Sequence, residues 1–216
     1  GNAENTLFFA IKGERNNGHV FIRELFERGI VNFVVSENPP DIDANFIKVE
    51  NTVISLQLLA ALHRNRFHFP VIGITGSNGK TIVKEWLYQL LSPEKNIVRS
   101  PKSYNSQVGV PLSVLQMKEG NDIALFEAGI SKQGEMEILE KIIRPSIGII
   151  TNIGGSHDAG FESRKQKTRE KMKLFGNVEI LFYCSDYPEI NDAVHSSLDA
   201  GKTKIITWSK ALPPPE

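Results

Sequence analysis

From Pro70 onward, short apolar runs and amphipathic stretches take turns along the chain. Strands are expected at 71–75, 96–99, 123–127, 147–151, 179–184 and 203–207, and helices near 80–91, 106–117, 134–143, 161–175 and 187–197. This alternation predicts an α/β fold with a mainly parallel sheet flanked by helices on both faces. Ahead of Pro70 the pattern is shorter. Residues 7–11, 31–35 and 46–49 read as strands, with a turn at Pro39-Pro40-Asp41. Residues 20–29 read as a helix burying Val20, Ile22, Leu25 and Phe26, and 51–65 as a helix with Val53, Leu56, Leu59 and Leu62 on one stripe. The basic end His63-Arg64-Asn65-Arg66, leading into Phe69-Pro70, is the best domain boundary, giving domains 1–68 and 69–212.

In open sheets of this kind ligands lie beyond the carboxyl ends of the strands. The first such end carries Thr75-Gly76-Ser77-Asn78-Gly79-Lys80-Thr81. Strand, glycine-rich turn and helix in that order build a nest of main-chain N–H groups around phosphate oxygens. Lys80 would reach the outer phosphates and Thr81 would offer its hydroxyl to Mg²⁺. The spacing is not that of the usual phosphate loop, which wants glycine at position 74, where this chain has Gly73 and Gly76 on either side.

The next strand ends add further polar groups. Segment 103–111 places Asn105 and Gln107, whose amides could face a substrate. Glu127 closes the apolar run 123–126, and the loop 152–158 carries His157. Glu127 is either a solvated strand end or a ligand for the loop's metal, and a loop histidine is more often a surface group. Lys80, Thr81, Glu127 and His157 nonetheless fall at one edge of one sheet. Hard oxygen ligands suit Mg²⁺ bridging phosphates, and a histidine fits a second ion site better.

Composition narrows the alternatives. Lys+Arg and Asp+Glu both number 25, so no net field recruits nucleic acid or an acidic membrane. No apolar run approaches a bilayer span, so no membrane insertion is expected. Cys184, the single cysteine, sits in the apolar run 180–184; it reads as a core residue and suits a reducing cytoplasm. The abrupt opening at Gly1 and the Pro213-Pro214-Pro215 close lead us to expect a fragment of a longer polypeptide.

Taken together, these segments resemble the Mur ligase superfamily, the ATP-dependent amide-forming enzymes of peptidoglycan assembly. The family's phosphate loop has the form TGTNGKT, one residue from 75–81 here, which also accounts for the displaced Gly73. Three segments look like the branch that joins D-alanyl-D-alanine to UDP-N-acetylmuramoyl-tripeptide. They are Leu7-Phe8-Phe9-Ala10-Ile11-Lys12-Gly13-Glu14-Arg15-Asn16-Asn17-Gly18-His19, residues 104–111, and Glu127-Ala128-Gly129 with Gln133-Gly134-Glu135.

The resemblance implies a small N-terminal α/β domain for the UDP-muramoyl-peptide, with Arg15 and His19 on substrate, and a central ATP-binding domain. Gly76, Ser77, Asn78, Gly79, Lys80 and Thr81 would hold the nucleotide, and Asn105 and Gln107 would face substrate. Thr81, Glu127, His157 and Lys171 would be metal-linked, and Lys80, His157 and Lys171 would serve catalysis. Lys171, in Lys171-Met172-Lys173-Leu174-Phe175, matches the family's carbamylated lysine; among the cations of 164–173 it would otherwise read as a solvated face. After strand 179–184 the family's nucleotide contact leaves only Asp186 as a counterpart, and the Glu of the family's AHxEGF is not found before Gly160.

The implied chemistry is attack of a peptide carboxylate on the γ-phosphate of ATP, then of an amine on the acyl-phosphate. A third, C-terminal domain, a partner from the same polypeptide, is expected beyond Glu216, so this chain alone should bind nucleotide weakly and ligate nothing. The alternatives are a folylpolyglutamate synthase-like ligase, a P-loop switch or kinase, and a nucleotide-dependent scaffold. The 13–19 segment counts against the first. The lack of a guanine-type NKxD motif counts against a switch, and the intact Lys80, Thr81 and Glu127 count against a scaffold.

Overall fold

The structure, a computed structural model, describes residues 3–13, 16–154, 160–198 and 201–211. It divides into two compact units, Gly1–Leu59 and Ala60–Glu216.

In the first unit β1 (Leu7–Phe9), β2 (Asn32–Val35) and β3 (Asn45–Lys48) form a parallel sheet in that order. The helix α1 (Ile22–Glu27) follows a 3-10 turn at Gly18–Phe21, whose first turn is capped by the Asn17 side chain. Ala10, Ile22, Phe33 and Val35 form the core, with Phe33 stacked on Phe46 at 5.5 Å. Val20, expected on the buried face, is 70% exposed. It lies in the 3-10 turn, whose three-residue period takes it out of phase with the α-helical stripe.

The helix α2 (Thr52–Arg64) contains the division between the units, ahead of the Phe69-Pro70 boundary. Its expected stripe is not the buried one. Leu59 and Leu62 are exposed, and the buried positions are Thr52, Leu56, Gln57, Ala60 and Arg64. The core-facing stripe is polar at both ends because side chains satisfy buried carbonyls there. Thr52 donates to the Ala10 carbonyl at 3.2 Å. Arg64 donates to those of Ile143, Phe67 and Arg144 at 2.7–3.0 Å.

The second unit is built on six strands: β4 (Val71–Thr75), β5 (Ile97–Arg99), β6 (Ile123–Glu127), β7 (Ile147–Ile150), β8 (Ile180–Cys184) and β9 (Lys204–Trp208). All pair in parallel, in the order β5-β6-β4-β7-β8-β9. The helices are α3 (Lys80–Leu91), α4 (Gly109–Val114), α5 (Glu135–Ile143), α6 (Arg164–Met172, then a 3-10 turn to Phe175) and α7 (Pro188–Ser197).

Strand β4 alternates its side chains between two hydrophobic layers. Ile72 and Ile74 meet Val83 and Leu87 of α3, while Val71 joins Leu139, Ile142 and Ile143 of α5. Gly73 belongs to this packing: a Cβ there would lie 3.0 Å from the Pro145 side chain. It is a close-approach glycine of the strand, which explains its apparent misplacement in the phosphate-loop pattern. The outer face of α3 exposes Ile82, Trp86 and Leu90. Cys184 is fully buried, as expected, and burial pushes its thiol pKa up.

Two helices are shorter than their sequence pattern. Helix α4 begins at Gly109, because 104–108 is held as a loop: Gly109 N–H donates to Ser106 Oγ, and the Tyr104 backbone packs against Gly109. Helix α6 begins after Ser163, whose extended backbone and side chain, accepting from the Gln166 N–H, cap it.

Candidate functional site

Strands β4 and β7 are neighbours whose outgoing connections run to opposite sides of the sheet, β4 to β5 and β7 to β8. A crevice opens at such a reversal, beyond the carboxyl ends. The two loops there are tied together. Ser77 N–H donates to the Asn152 carbonyl at 2.8 Å, Asn78 N–H to Asn152 Oδ1 at 3.1 Å, and Thr151 Oγ1 to the Asn78 carbonyl at 2.6 Å. Gly76 is required by both conformation and space: its φ is +141°, and a Cβ would fall 2.0 Å from Thr151 Oγ1.

These ties use the amides of Ser77 and Asn78. The groups left to face an anion are therefore the N–H groups at the start of α3, from Gly79 onward, which lack intrahelical partners. Lys80 folds over the loop and donates to the carbonyls of Gly76 (2.9 Å) and Ser77 (3.4 Å). Burial lowers its pKa, against the raising effect of Glu127. Ser77 Oγ is buried and has no hydrogen-bond partner among the described residues, so the loop holds an unmet polar group.

One turn into α3, Thr81 donates to Glu127 Oε2 at 3.0 Å. Glu127 is fully buried, and its Oε1 lies 3.0 Å from Nζ of Lys84, which is equally buried. A hydroxyl and a carboxylate are hard donors that could hold Mg²⁺. Among the described residues no group of three or more His, Cys, Asp or Glu side chains could hold a metal by itself. A cation at Thr81 and Glu127 would thus need phosphate oxygens or water to complete its shell.

Helix α6 brings a second set of cations. Lys171 is buried and its Nζ reaches the Gly76 carbonyl at 3.3 Å. Its pKa is lowered to about 7, first by burial and then by Lys80 and Lys167. Lys167, one turn earlier and also buried, is lowered by burial and by Lys80. A cleft of about 470 Å³ brings together Gly76, Ser77, Lys80, Asn105, Gln107 and Lys171. Asn105 lies against Gly129, whose N–H donates to the Asn105 carbonyl at 2.8 Å. Gln107 Nε2 donates to the Glu135 carbonyl at 3.1 Å.

Other expected site residues are placed differently. His157 and Arg15 lie outside the described residues. His19, in the first unit, has both ring nitrogens engaged within the protein. Nδ1 is 2.7 Å from Asn17 Oδ1, and Nε2 accepts from the N–H groups of Ser36 and Glu37 at 3.0 and 3.2 Å. That fixes the Nδ1–H tautomer and makes the ring a brace between two loops. Asp186 accepts from Ser209 and from the Lys210 N–H at 2.9 Å. The sequence reading passes over Lys84 and Lys167. The only signal for either is its helical spacing, Lys84 four residues after Lys80 and Lys167 four before Lys171.

Residues 74–211, from the phosphate loop through β9, match the Mur ligase middle domain. The chain belongs to the Mur ligase family. Among its relatives is the UDP-N-acetylmuramoyl-tripeptide–D-alanyl-D-alanine ligase of Bacillus subtilis, 34% identical over 88% of this chain and 43% of that enzyme. Among solved structures, MurF from Acinetobacter baumannii superposes with a TM-score of 0.85 at 27% identity, covering 95% of this chain and 45% of the other. The MurF ligase of Thermotoga maritima in complex with ADP gives a TM-score of 0.82 at 28% identity over 98% of this chain and 50% of the other. This Mur ligase chain thus spans about half the length of the relatives it matches or slightly less. No described helix in it is long and apolar enough to cross a membrane.

Proposed function

We propose that this chain carries the ATP-activating centre of an amide ligase that adds D-alanyl-D-alanine to UDP-N-acetylmuramoyl-tripeptide in cytoplasmic peptidoglycan synthesis. The observation that carries the reading is the cleft at the β4–β7 reversal, where the Gly76–Thr81 loop, Lys80, Lys171 and the Thr81–Glu127 pair converge. The names of the relatives, and the ADP held by the Thermotoga protein, support the substrates. In this reading residues 1–68 serve the UDP-muramoyl-peptide and 69–212 the nucleotide, and a further domain of the polypeptide completes the site.

ATP would supply the phosphoryl group that activates the peptide carboxylate as an acyl-phosphate. The α3 amides and Lys80 bind and orient the β- and γ-phosphates, so that catalysis is positioning and charge neutralisation. Thr81 and Glu127 would hold Mg²⁺, which spreads the phosphate charge. Asn105 and Gln107, on the cleft's far wall, orient the acceptor. Lys171, with a pKa of about 7, has a substantial neutral fraction near neutral pH. A neutral amine can add to carbon dioxide, and the resulting carbamate would convert a crowded cation into an anionic metal ligand.

The test is turnover of the full-length polypeptide with ATP, UDP-N-acetylmuramoyl-tripeptide and D-alanyl-D-alanine. ADP, phosphate and the pentapeptide should form in equal amounts, and Lys80→Ala should lower the rate by about a hundredfold or more. The 216 residues alone should bind nucleotide weakly without forming the amide. ATP consumption with no incorporation of D-alanyl-D-alanine into the full-length product would defeat the reading.

A further inference from the structure

Lys84 has no part in the chemistry just described, yet it is fully buried beside the phosphate loop. Its Nζ lies 3.0 Å from Glu127 Oε1 and 3.1 Å from Glu85 Oε1, and it donates to the carbonyls of Ser100 (2.8 Å) and Lys102. The Glu127 N–H donates to Ser100 Oγ at 3.2 Å, which closes the network. Lys102 takes a left-handed φ of +48°, and the segment beyond it leads to Asn105 and Gln107. One ammonium therefore ties α3, the end of β6 and the loop that lines the cleft.

Two consequences follow. Glu127 Oε1 faces the Lys84 ammonium as an ion pair without a hydrogen bond among the described residues, while Oε2 accepts from the Thr81 hydroxyl. The carboxylate's charge is also balanced before any cation arrives, while Lys80 and Lys167 stand close to the same loop. A bare divalent cation finds two oxygen donors in a field of excess positive charge. A polyphosphate reverses the sign of that field and supplies further oxygens.

We propose that Lys84 is a positioning residue that orients and neutralises Glu127, so that the site takes a divalent cation only together with a polyphosphate. This rests on the nucleotide reading above. The test is Mn²⁺ binding to the full-length protein, read by electron paramagnetic resonance of the free ion, with and without ADP. Wild type should bind Mn²⁺ at least about tenfold more tightly with ADP, and by linkage ADP should tighten equally with Mn²⁺. Lys84→Met, confirmed as folded by circular dichroism, should bind Mn²⁺ without ADP several-fold better than wild type, a change that a purely structural residue would not produce. Lys84→Arg, which keeps the charge, should retain the wild-type dependence on ADP.

Equal Mn²⁺ affinity with and without ADP in wild type would overturn the inference while leaving nucleotide binding intact. So would unchanged nucleotide-free affinity in folded Lys84→Met. Failure of wild type to bind ADP at all would remove the nucleotide reading and this inference together. Equal affinity in wild type would overturn the inference even if Lys84→Met does not fold.

Discussion

Lys84 and Lys171 are two buried lysines on either side of one loop, in opposite surroundings. Lys84 faces the carboxylates of Glu127 and Glu85 and donates to two carbonyls. Lys171 reaches one carbonyl, that of Gly76, and has Lys80 and Lys167 as its charged neighbours. Burial is nearly equal for the two, so burial does not separate them. Their partners do. The first is a closed structural charge, and the second is held ready for an anion or for loss of its proton.

The largest effect should come from breaking the closed side. Lys84→Met leaves the buried Glu127 carboxylate without its counter-charge and should cost about 3–5 kcal/mol of unfolding free energy in urea titrations. Adding Glu127→Gln should restore more than half of that loss, and a purely additive double mutant would refute the coupling. Gly76→Ala disturbs the carbonyl shared by Lys80 and Lys171 and should cost about 2–3 kcal/mol through strain at positive φ and collision with Thr151.

On the open side the sign reverses. Lys171→Met should stabilise the apoprotein by about 1–2 kcal/mol at pH 6 while abolishing ligation by the complete enzyme. Folding lowers this lysine's pKa from 10.5 to about 7, so the unfolded chain binds the extra proton between those values. Stability therefore rises with pH across that window, and the full penalty applies below it. The advantage of Lys171→Met should accordingly shrink as pH climbs from 7 toward 10, as thermal melts at several pH values would show. The smallest effect is Ser77→Ala. Stability should stay within about 0.5 kcal/mol, because the hydroxyl has no partner among the described residues, while ADP affinity falls a few-fold.

The sheets were legible because strand periodicity and loop glycines are local signals: the nine strands among the described residues lie within a residue or two of their sequence ranges. The stripe of α2 was not. Its inward positions carry Thr52 and Arg64, whose burial depends on carbonyls of residues as distant as Ile143, so hydrophobic spacing pointed to Leu59 and Leu62 instead. Strand-end placement put Thr81 and Glu127 at one edge of the sheet, and the loop motif marked Lys80. Lys84 left only its spacing from Lys80, because its partners come from α3, β6 and the turn after β5. His19 stood out through its motif, but its two ring contacts show it bracing the fold.

The central position of β4 also constrains how the protein is made. Its neighbours in the sheet are β6 and β7, whereas the next strand in sequence, β5, lies two places away. On a ribosome the apolar run 71–75 and the α3 side chains Val83 and Leu87 emerge well before Ala124 and Ile147 can pair with Val71 and Ile72. Such non-local parallel pairing is slow and leaves apolar surface uncovered in the meantime. Nascent chains stalled between α3 and β6 should therefore be the stage most dependent on chaperones, a consequence of strand order that no inspection of the finished cleft would reveal.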